Sequence, residues 1–255
     1  MIHYYKNKYR DGDICLSPTS PAFRFGTGFF ETLLYNGRQV CHFDRHSARI
    51  HSSLDYFCIP YEPVSFEEII PLLLEKNGLT GRTARVNIFY PVAGSTTTPL
   101  VTVAPYEWAQ NKTYRLAYCP DQHISSLNNH KTMAYMFFNL AHARAIAEGY
   151  DDALLTDLNG RVLETTTAAL LFRGGNRFIA PATAYKLPSI ALDLVKEVLE
   201  VEEESVSFDK MADMNHAYVL NSLVGMRPVT SIGGEIDFEP DEDSCLKVTN
   251  LILGA

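Results

Sequence analysis

The sequence predicts a two-domain protein of mixed α/β (α+β) class, with a small N-terminal domain and a larger C-terminal one. Three observations lead there. Segments alternating with period two are interleaved along the chain with segments of helical period. The 255 residues, 46% hydrophobic and 20% charged, suffice for two modest cores. Periodicity lapses over residues 105–113, and the interdomain linker is placed there, leaving residues 1–104 and 114–255 as the domains.

In the first domain, residues 29–35 read as a strand closed by Asn36-Gly37, with residues 39–42 returning as its partner. Asp44 can cap a helix whose apolar positions Ile50, Leu54 and Phe57 keep helical spacing. Ser65 and Glu68 make a capping box for a second helix, kinked at Pro71 and stopped at Gly78. Strands follow at residues 84–90 and 100–104. The second domain opens on a strand at residues 114–119. A polar loop then leads to Lys131, which opens a helix through Glu148 ended by Gly149. Residues 151–165 form a hairpin around Asn159-Gly160. Ser189 caps a helix through Leu199, residues 217–221 are a short strand, and residues 244–253 a last helix.

Composition narrows the function. A net charge of -8 argues against a nucleic-acid partner, because phosphate backbones are bound by basic surfaces. The first residues lack an apolar signal core and no later run reaches membrane-spanning length, so the expectation is a cytoplasmic protein without a membrane partner. Five scattered cysteines with no CxxC pair support neither a disulfide framework nor a zinc knuckle. His42, His46 and His51 cluster, but no carboxylate spacing completes a metal set. Gly26-Thr27-Gly28 lacks the third glycine of a dinucleotide loop and reads as a tight turn.

Four features could carry chemistry. Lys131 follows a loop rich in Ser, Asn and His and precedes MAYMFF, so it sits at the edge of an apolar wall. Partial desolvation there would lower its pKa from about 10.4 and make it a usable nucleophile and base; the plainer alternative is a surface lysine. Glu164 shares a strand face with Val162, and the hairpin alone leaves open whether that face is buried or exposed. Two turns could hold an anion: the helix start at Ser189, Ile190 and Ala191, and the strand end at Ser222 and Leu223. Arg49 lies at the edge of its helix's apolar stripe, either as a ligand clamp or as a salt-bridged helix residue.

Taken together, these motifs resemble the class IV aminotransferases, the fold type IV pyridoxal-phosphate enzymes. The similarity runs from about Phe23 to Val229. Phe25-Gly26-Thr27-Gly28-Phe29-Phe30-Glu31-Thr32 resembles the family's early signature, and His46-Ser47-Ala48-Arg49-Ile50 its arginine helix. Residues 148–155 and Arg161-Val162-Leu163-Glu164 resemble the segment after the Schiff-base lysine and the strand bearing the pyridine carboxylate. Residues 221–229, NSLVGMRPV, look most like the aminodeoxychorismate lyase version of the late phosphate turn.

The resemblance implies a small N-terminal α/β domain and a larger C-terminal pseudo-barrel domain, working as a homodimer on a small-molecule amino substrate. Pyridoxal 5'-phosphate would be the cofactor. Lys131 and Glu164 would be catalytic, with Thr32 touching the substrate or assisting proton transfer. Arg49, Ser189, Ile190, Ala191, Ser222 and Leu223 would join Lys131 and Glu164 in cofactor binding. The activity implied first is 4-amino-4-deoxychorismate lyase. The alternatives are a branched-chain or D-amino-acid transaminase, and a degenerate member serving as a binding module. Departures from the family pattern fall at Ala134, Ala169, Ala191 and Leu192, and at Tyr90-Pro91 where Arg-Gly is frequent.

Overall fold

Period-two alternation becomes a five-stranded antiparallel sheet in the first of two units into which the chain divides. The computed structural model describes residues 1–254. The first unit holds residues 1–108, 130–135 and Gly254; the second holds residues 109–129 and 136–253. Among the described residues, no helix is long and apolar enough to cross a membrane.

The first unit contains β1 (His3–Tyr5), β2 (Lys8–Arg10), α1 (Pro21–Phe25), β3 (Gly28–Asn36), α2 (Phe43–Tyr56), α3 (Phe66–Lys76), β4 (Thr83–Pro91) and β5 (Leu100–Pro105). The strand order is β2-β1-β5-β4-β3. One face of the sheet is fully apolar but for one residue. Phe29, Leu33, Val86, Ile88, Val101 and Val103 are buried there with Ile50 and Leu54 of α2 and Leu73 of α3. That burial, at about 25 cal/mol per Å² of apolar surface, is what holds α2 and α3 on the sheet. The exception is Glu31, which is 1% exposed.

Several local expectations are corrected. Residues 39–42 do not form a return strand. Only Tyr35 and Val40 bridge, and His42 takes φ 50°, which ends extended backbone and turns the chain into α2. His42, not Asp44, is the N-cap of α2, and Asp44 lies in the first turn, where a carboxylate suits the helix dipole. The Ser65–Glu68 capping box does not form: Ser65 caps α3 without a side-chain bond. Phe57 lies just past α2 and is exposed. Lys131 opens no helix. It carries no regular secondary structure, and the helix begins five residues later, at Met136.

The second unit contains β6 (Tyr114–Tyr118), a 3-10 turn (Ser126–Asn129), α4 (Met136–Ala147), β7 (Asp152–Thr156), β8 (Val162–Thr165), β9 (Ala169–Gly174) and β10 (Arg177–Pro181). It continues with α5 (Ile190–Lys196), β11 (Val201–Glu204), α6 (Phe208–Ala212), β12 (His216–Asn221), β13 (Gly225–Ile232), β14 (Ile236–Asp237) and α7 (Glu242–Ile252). Its nine strands form one mixed sheet in the order β11-β10-β9-β12-β13-β6-β7-β8, with β14 on β13. The sheet curls, so that β8 comes back near β9 and β10. That curl buries β8 on both faces, Val162 with one apolar cluster and Leu163 with another. The hairpin loop is organised by Asp157, whose Oδ1 accepts from Asn159 N at 2.8 Å and Arg161 N at 2.9 Å. α5 ends at Lys196 instead of reaching Leu199.

Candidate active site

The sequence-predicted residues fall in both units. Lys131, Thr32 and Arg49 belong to the first, and Glu164, Ser189, Ile190, Ala191, Ser222 and Leu223 to the second. The Lys131 segment thus lies with the N-terminal sheet and not with the C-terminal domain, as a linear boundary would place it.

Lys131 is seated by backbone pairing to β3. Phe30 N donates to Lys131 O at 2.9 Å, Met133 N donates to Gly28 O at 2.9 Å, and Phe29 bridges Thr132. The Gly26-Thr27-Gly28 motif, expected to be only a tight turn, makes that approach possible. A Cβ on Gly28 (φ +148°) would stand 2.4 Å from Tyr90 O and 2.8 Å from Met133 Sδ. One on Gly26 would stand 2.8 Å from Ala134 Cα. His130 pins the segment to α2, its Nδ1 lying 2.9 Å from Ser53 Oγ and its ring packed on Phe57. The half-buried Lys131 places Nζ 4.6 Å from the Phe30 ring centroid and 5.5 Å from that of Tyr135. Half-burial partly desolvates the amine, the condition expected for a reactive lysine, while the ring faces attract its protonated form.

Arg49 has a partner that sequence reasoning missed. Its Nε donates to Glu31 Oε1 at 2.6 Å and its NH2 to Glu31 Oε2 at 2.7 Å, while His46 Nδ1 lies 2.7 Å from Glu31 Oε2. Burial alone would raise the Glu31 pKa, but Arg49 and the His46 hydrogen bond more than offset it, and it is lowered to about 2. Burial lowers the His46 pKa despite the carboxylate, so a neutral imidazole donates from Nδ1. The signal was present: Glu31 interrupts an alternation of Phe29, Leu33 and Tyr35, and a carboxylate on a core face needs a cation.

Thr32 points to the other face of the sheet. Asn87, directly opposite on β4, donates to Thr32 Oγ1 at 2.7 Å. Phe30 and Phe89, also opposed, stack with centroids 5.9 Å apart.

In the second unit Glu164 is 9% exposed, so its face is buried, and it accepts from Leu187 N at 3.2 Å. Lys186 is next to that amide. Burial lowers its pKa, with the carboxylates of Glu203 and Glu164 acting against it. The turn after Glu164 is fixed by a second missed residue, Asp152. This carboxylate, 1% exposed, accepts from Thr165 Oγ1 at 2.8 Å, Thr167 Oγ1 at 2.6 Å and Ala153 N at 2.7 Å, and from the Thr166 hydroxyl. Burial would raise its pKa, but His142 and the three threonines lower it.

In the two candidate anion turns, part of the donor set is engaged within the chain. Ser189 Oγ accepts from Leu192 N at 3.2 Å, which makes it a helix cap. The amides of Ile190 and Ala191 hydrogen-bond no described residue, as first-turn amides do. In the late turn, Asn221 Oδ1 accepts from Leu223 N and Val224 N, each at 2.9 Å, so the Leu223 amide is already engaged. Each unit carries donor types that pyridoxal 5'-phosphate needs: an amine and a guanidinium in the first, a buried carboxylate and two first-turn amides in the second.

The family model for amino-transferase class IV matches residues 28–232. A protein of Rickettsia bellii named as a probable branched-chain-amino-acid aminotransferase is 24% identical over 231 residues, covering 81% of this chain and 78% of its own. Two solved structures share the fold. A Legionella pneumophila protein described as a candidate 4-amino-4-deoxychorismate lyase has a TM-score of 0.83, 24% identity, and coverage of 94% of this chain and 96% of its own. A Mycobacterium tuberculosis hypothetical aminotransferase, bound to alpha-ketoglutarate and PMP, has a TM-score of 0.87, 16% identity, and coverage of 100% and 99%.

Proposed function

The chain belongs to the class IV aminotransferases, a family of pyridoxal 5'-phosphate enzymes, and on that premise we propose that it is a 4-amino-4-deoxychorismate lyase forming p-aminobenzoate and pyruvate. The observation that carries the reading is the outer face of the first sheet. Phe30, Thr32, Asn87 and Phe89 are half-buried there, with Lys131 Nζ lying over Phe30. Stacked rings beside a hydroxyl suit a flat six-membered substrate that becomes aromatic. The likeness of residues 221–229 to the lyase turn supports the same reading.

In this reading the cofactor, when bound, supplies an electron sink that stabilises negative charge at the substrate carbon bearing the amine. Lys131 Nζ would hold the resting cofactor and, once the substrate amine has displaced it, the freed amine would take the proton from that substrate carbon. Glu164 would hold a proton at the pyridine nitrogen. Arg49 and the amides of Ile190 and Ala191 would bind the phosphate. Thr32 Oγ1 donates a hydrogen bond to the substrate. The bond from the ring to the enolpyruvyl oxygen would then break, its electron pair leaving on oxygen to be protonated by the Lys131 ammonium as the enol of pyruvate, and the ring would aromatise. A homodimer in the cytoplasm belongs to the same reading, and sedimentation of the purified protein tests the dimer.

The experiment is incubation of the loaded protein with 4-amino-4-deoxychorismate. Release of pyruvate with p-aminobenzoate is expected. Keto-acid-dependent amino transfer without pyruvate would reverse the reading in favour of an amino-acid transaminase, the second reading, which the Rickettsia bellii relative favours. A visible absorption band that Lys131→Ala abolishes is expected in either case. A protein with no such band would instead be a binding module.

A further inference from the structure

Asn87 lies opposite Thr32 in the β3–β4 register, and its amide makes two bonds from one nitrogen. Nδ2 donates to Thr32 Oγ1 at 2.7 Å and to the main-chain oxygen of Glu31 at 3.3 Å. A peptide carbonyl can only accept, so the amide cannot be turned the other way. The nitrogen faces β3 and Oδ1 faces away. The short bond therefore occupies a lone pair of Thr32 Oγ1, and the hydroxyl proton has to be directed elsewhere. Neither that proton nor Asn87 Oδ1 is engaged by any described residue.

The surroundings make this more than a cross-strand pair. On the same face, one register pair along, stand the stacked Phe30 and Phe89. Lys131 Nζ is over Phe30, and Thr102 of β5 is opposite Asn87 on the far side. All of these side chains are half-buried, whereas the reverse face is closed core.

We propose that Asn87 is the positioning residue for Thr32, fixing that hydroxyl as a hydrogen-bond donor toward the substrate. The inference rests on the proposed role of Thr32 and extends it to a residue that acts through that hydroxyl. Removing the amide leaves the hydroxyl free to rotate, and an oriented donor then becomes an unoriented one.

The test is a double-mutant cycle on the loaded protein with whichever amino substrate the wild type turns over. A wild type that releases no pyruvate counts against the lyase reading and leaves this test intact. Asn87→Val should lower kcat by roughly 10-fold or more with KM changed less than about 3-fold, leaving the visible band and cofactor affinity of the wild type. Thr32→Val should lower kcat at least as far, and the double variant no further than Thr32→Val alone. Asn87→Asp, of the same size, should also lose kcat because an ionised carboxylate accepts the Thr32 proton. Its ratio to wild type should recover as pH falls and the new carboxyl is protonated. Losses that multiply, a fully active Asn87→Val or Thr32→Val, or an Asn87→Asp ratio that is flat with pH would each overturn the proposal. If Asn87→Val does not fold, the Asn87→Asp pH profile decides alone.

Discussion

At the scale of single residues, the least expected feature is a carboxylate inside an apolar sheet face. Glu31 is bonded by Arg49 through two nitrogens and by His46 through a third, all at 2.6 to 2.7 Å. A fork-to-fork pair fixes the plane of the guanidinium, which a lysine cannot reproduce. Arg49→Lys should therefore weaken pyridoxal 5'-phosphate binding about 10-fold while leaving pyridoxal, which lacks the phosphate, unaffected; fluorescence titration of both ligands checks it. Glu31→Ala leaves a partly buried cation without its carboxylate and should cost about 3–5 kcal/mol in urea unfolding. A loss under about 1 kcal/mol would mean that Arg49 finds another acceptor. The Arg49 position was legible in the sequence as the edge of a helix stripe. Its partner was not, because Glu31 is 18 residues away on a different element.

Among elements, the seat of Lys131 depends on missing side chains. At Gly28 the backbone φ of +148° and the 2.4 Å approach to Tyr90 O leave no room for a methyl group. Gly28→Ala should destabilise the protein by about 2–4 kcal/mol and reduce lysine reactivity toward the cofactor, read by denaturant titration and by the visible band. On the other sheet, Asp152 does for β8 what the glycines do for the lysine segment. Its carboxylate collects the hydroxyls of Thr165, Thr166 and Thr167 and so holds the turn that follows Glu164. Asp152→Ala would take the acceptor from the buried Thr165 and Thr166 hydroxyls, at about 1–3 kcal/mol each. Faster hydrogen exchange at the Thr166 and Thr167 amides, ahead of global unfolding, is the expected sign. Strands β3 to β8 and β12 and the five longer helices were legible from period and composition, whereas β1, β2, β9, β10, β11, β13, β14, α1 and α6 were not. Within the elements that were read, failures came at edges: the capping box at Ser65, the return strand after Asn36, and the helix start at Lys131. At each, a local preference was overruled by where the chain had to go next.

For the molecule as a whole, buried charge makes stability depend on pH in a stated direction. Glu31, Asp152 and His46 all have folded pKa values below their ordinary ones, so the unfolded chain binds more protons and stability falls with acid. The His46 contribution is complete above about pH 6.5 and is lost as pH falls below it; the Glu31 contribution is lost between about 4.5 and about 2. His142 has the opposite sign, since Asp152 raises its pKa, so its contribution fades as pH rises through the folded value. Burial also lowers the pKa of His51 and His130, so three histidines act against His142 and Tm should fall between pH 7.5 and 5; His46→Asn, which keeps a donor to Glu31 but does not titrate, should flatten that fall. An equally steep decline in the variant would remove His46 from the account. The sequence by itself determined the alternating elements, the family signature and the residue types for a phosphate-bearing carbonyl cofactor, because these are written in short-range period and spacing. Only the tertiary structure decided that Glu31 answers Arg49, that Asn87 orients Thr32, and that two glycines make room for Lys131. Each of those is a contact between residues distant in the chain, where a polar group or a bare backbone is satisfied by whatever the fold brings to it.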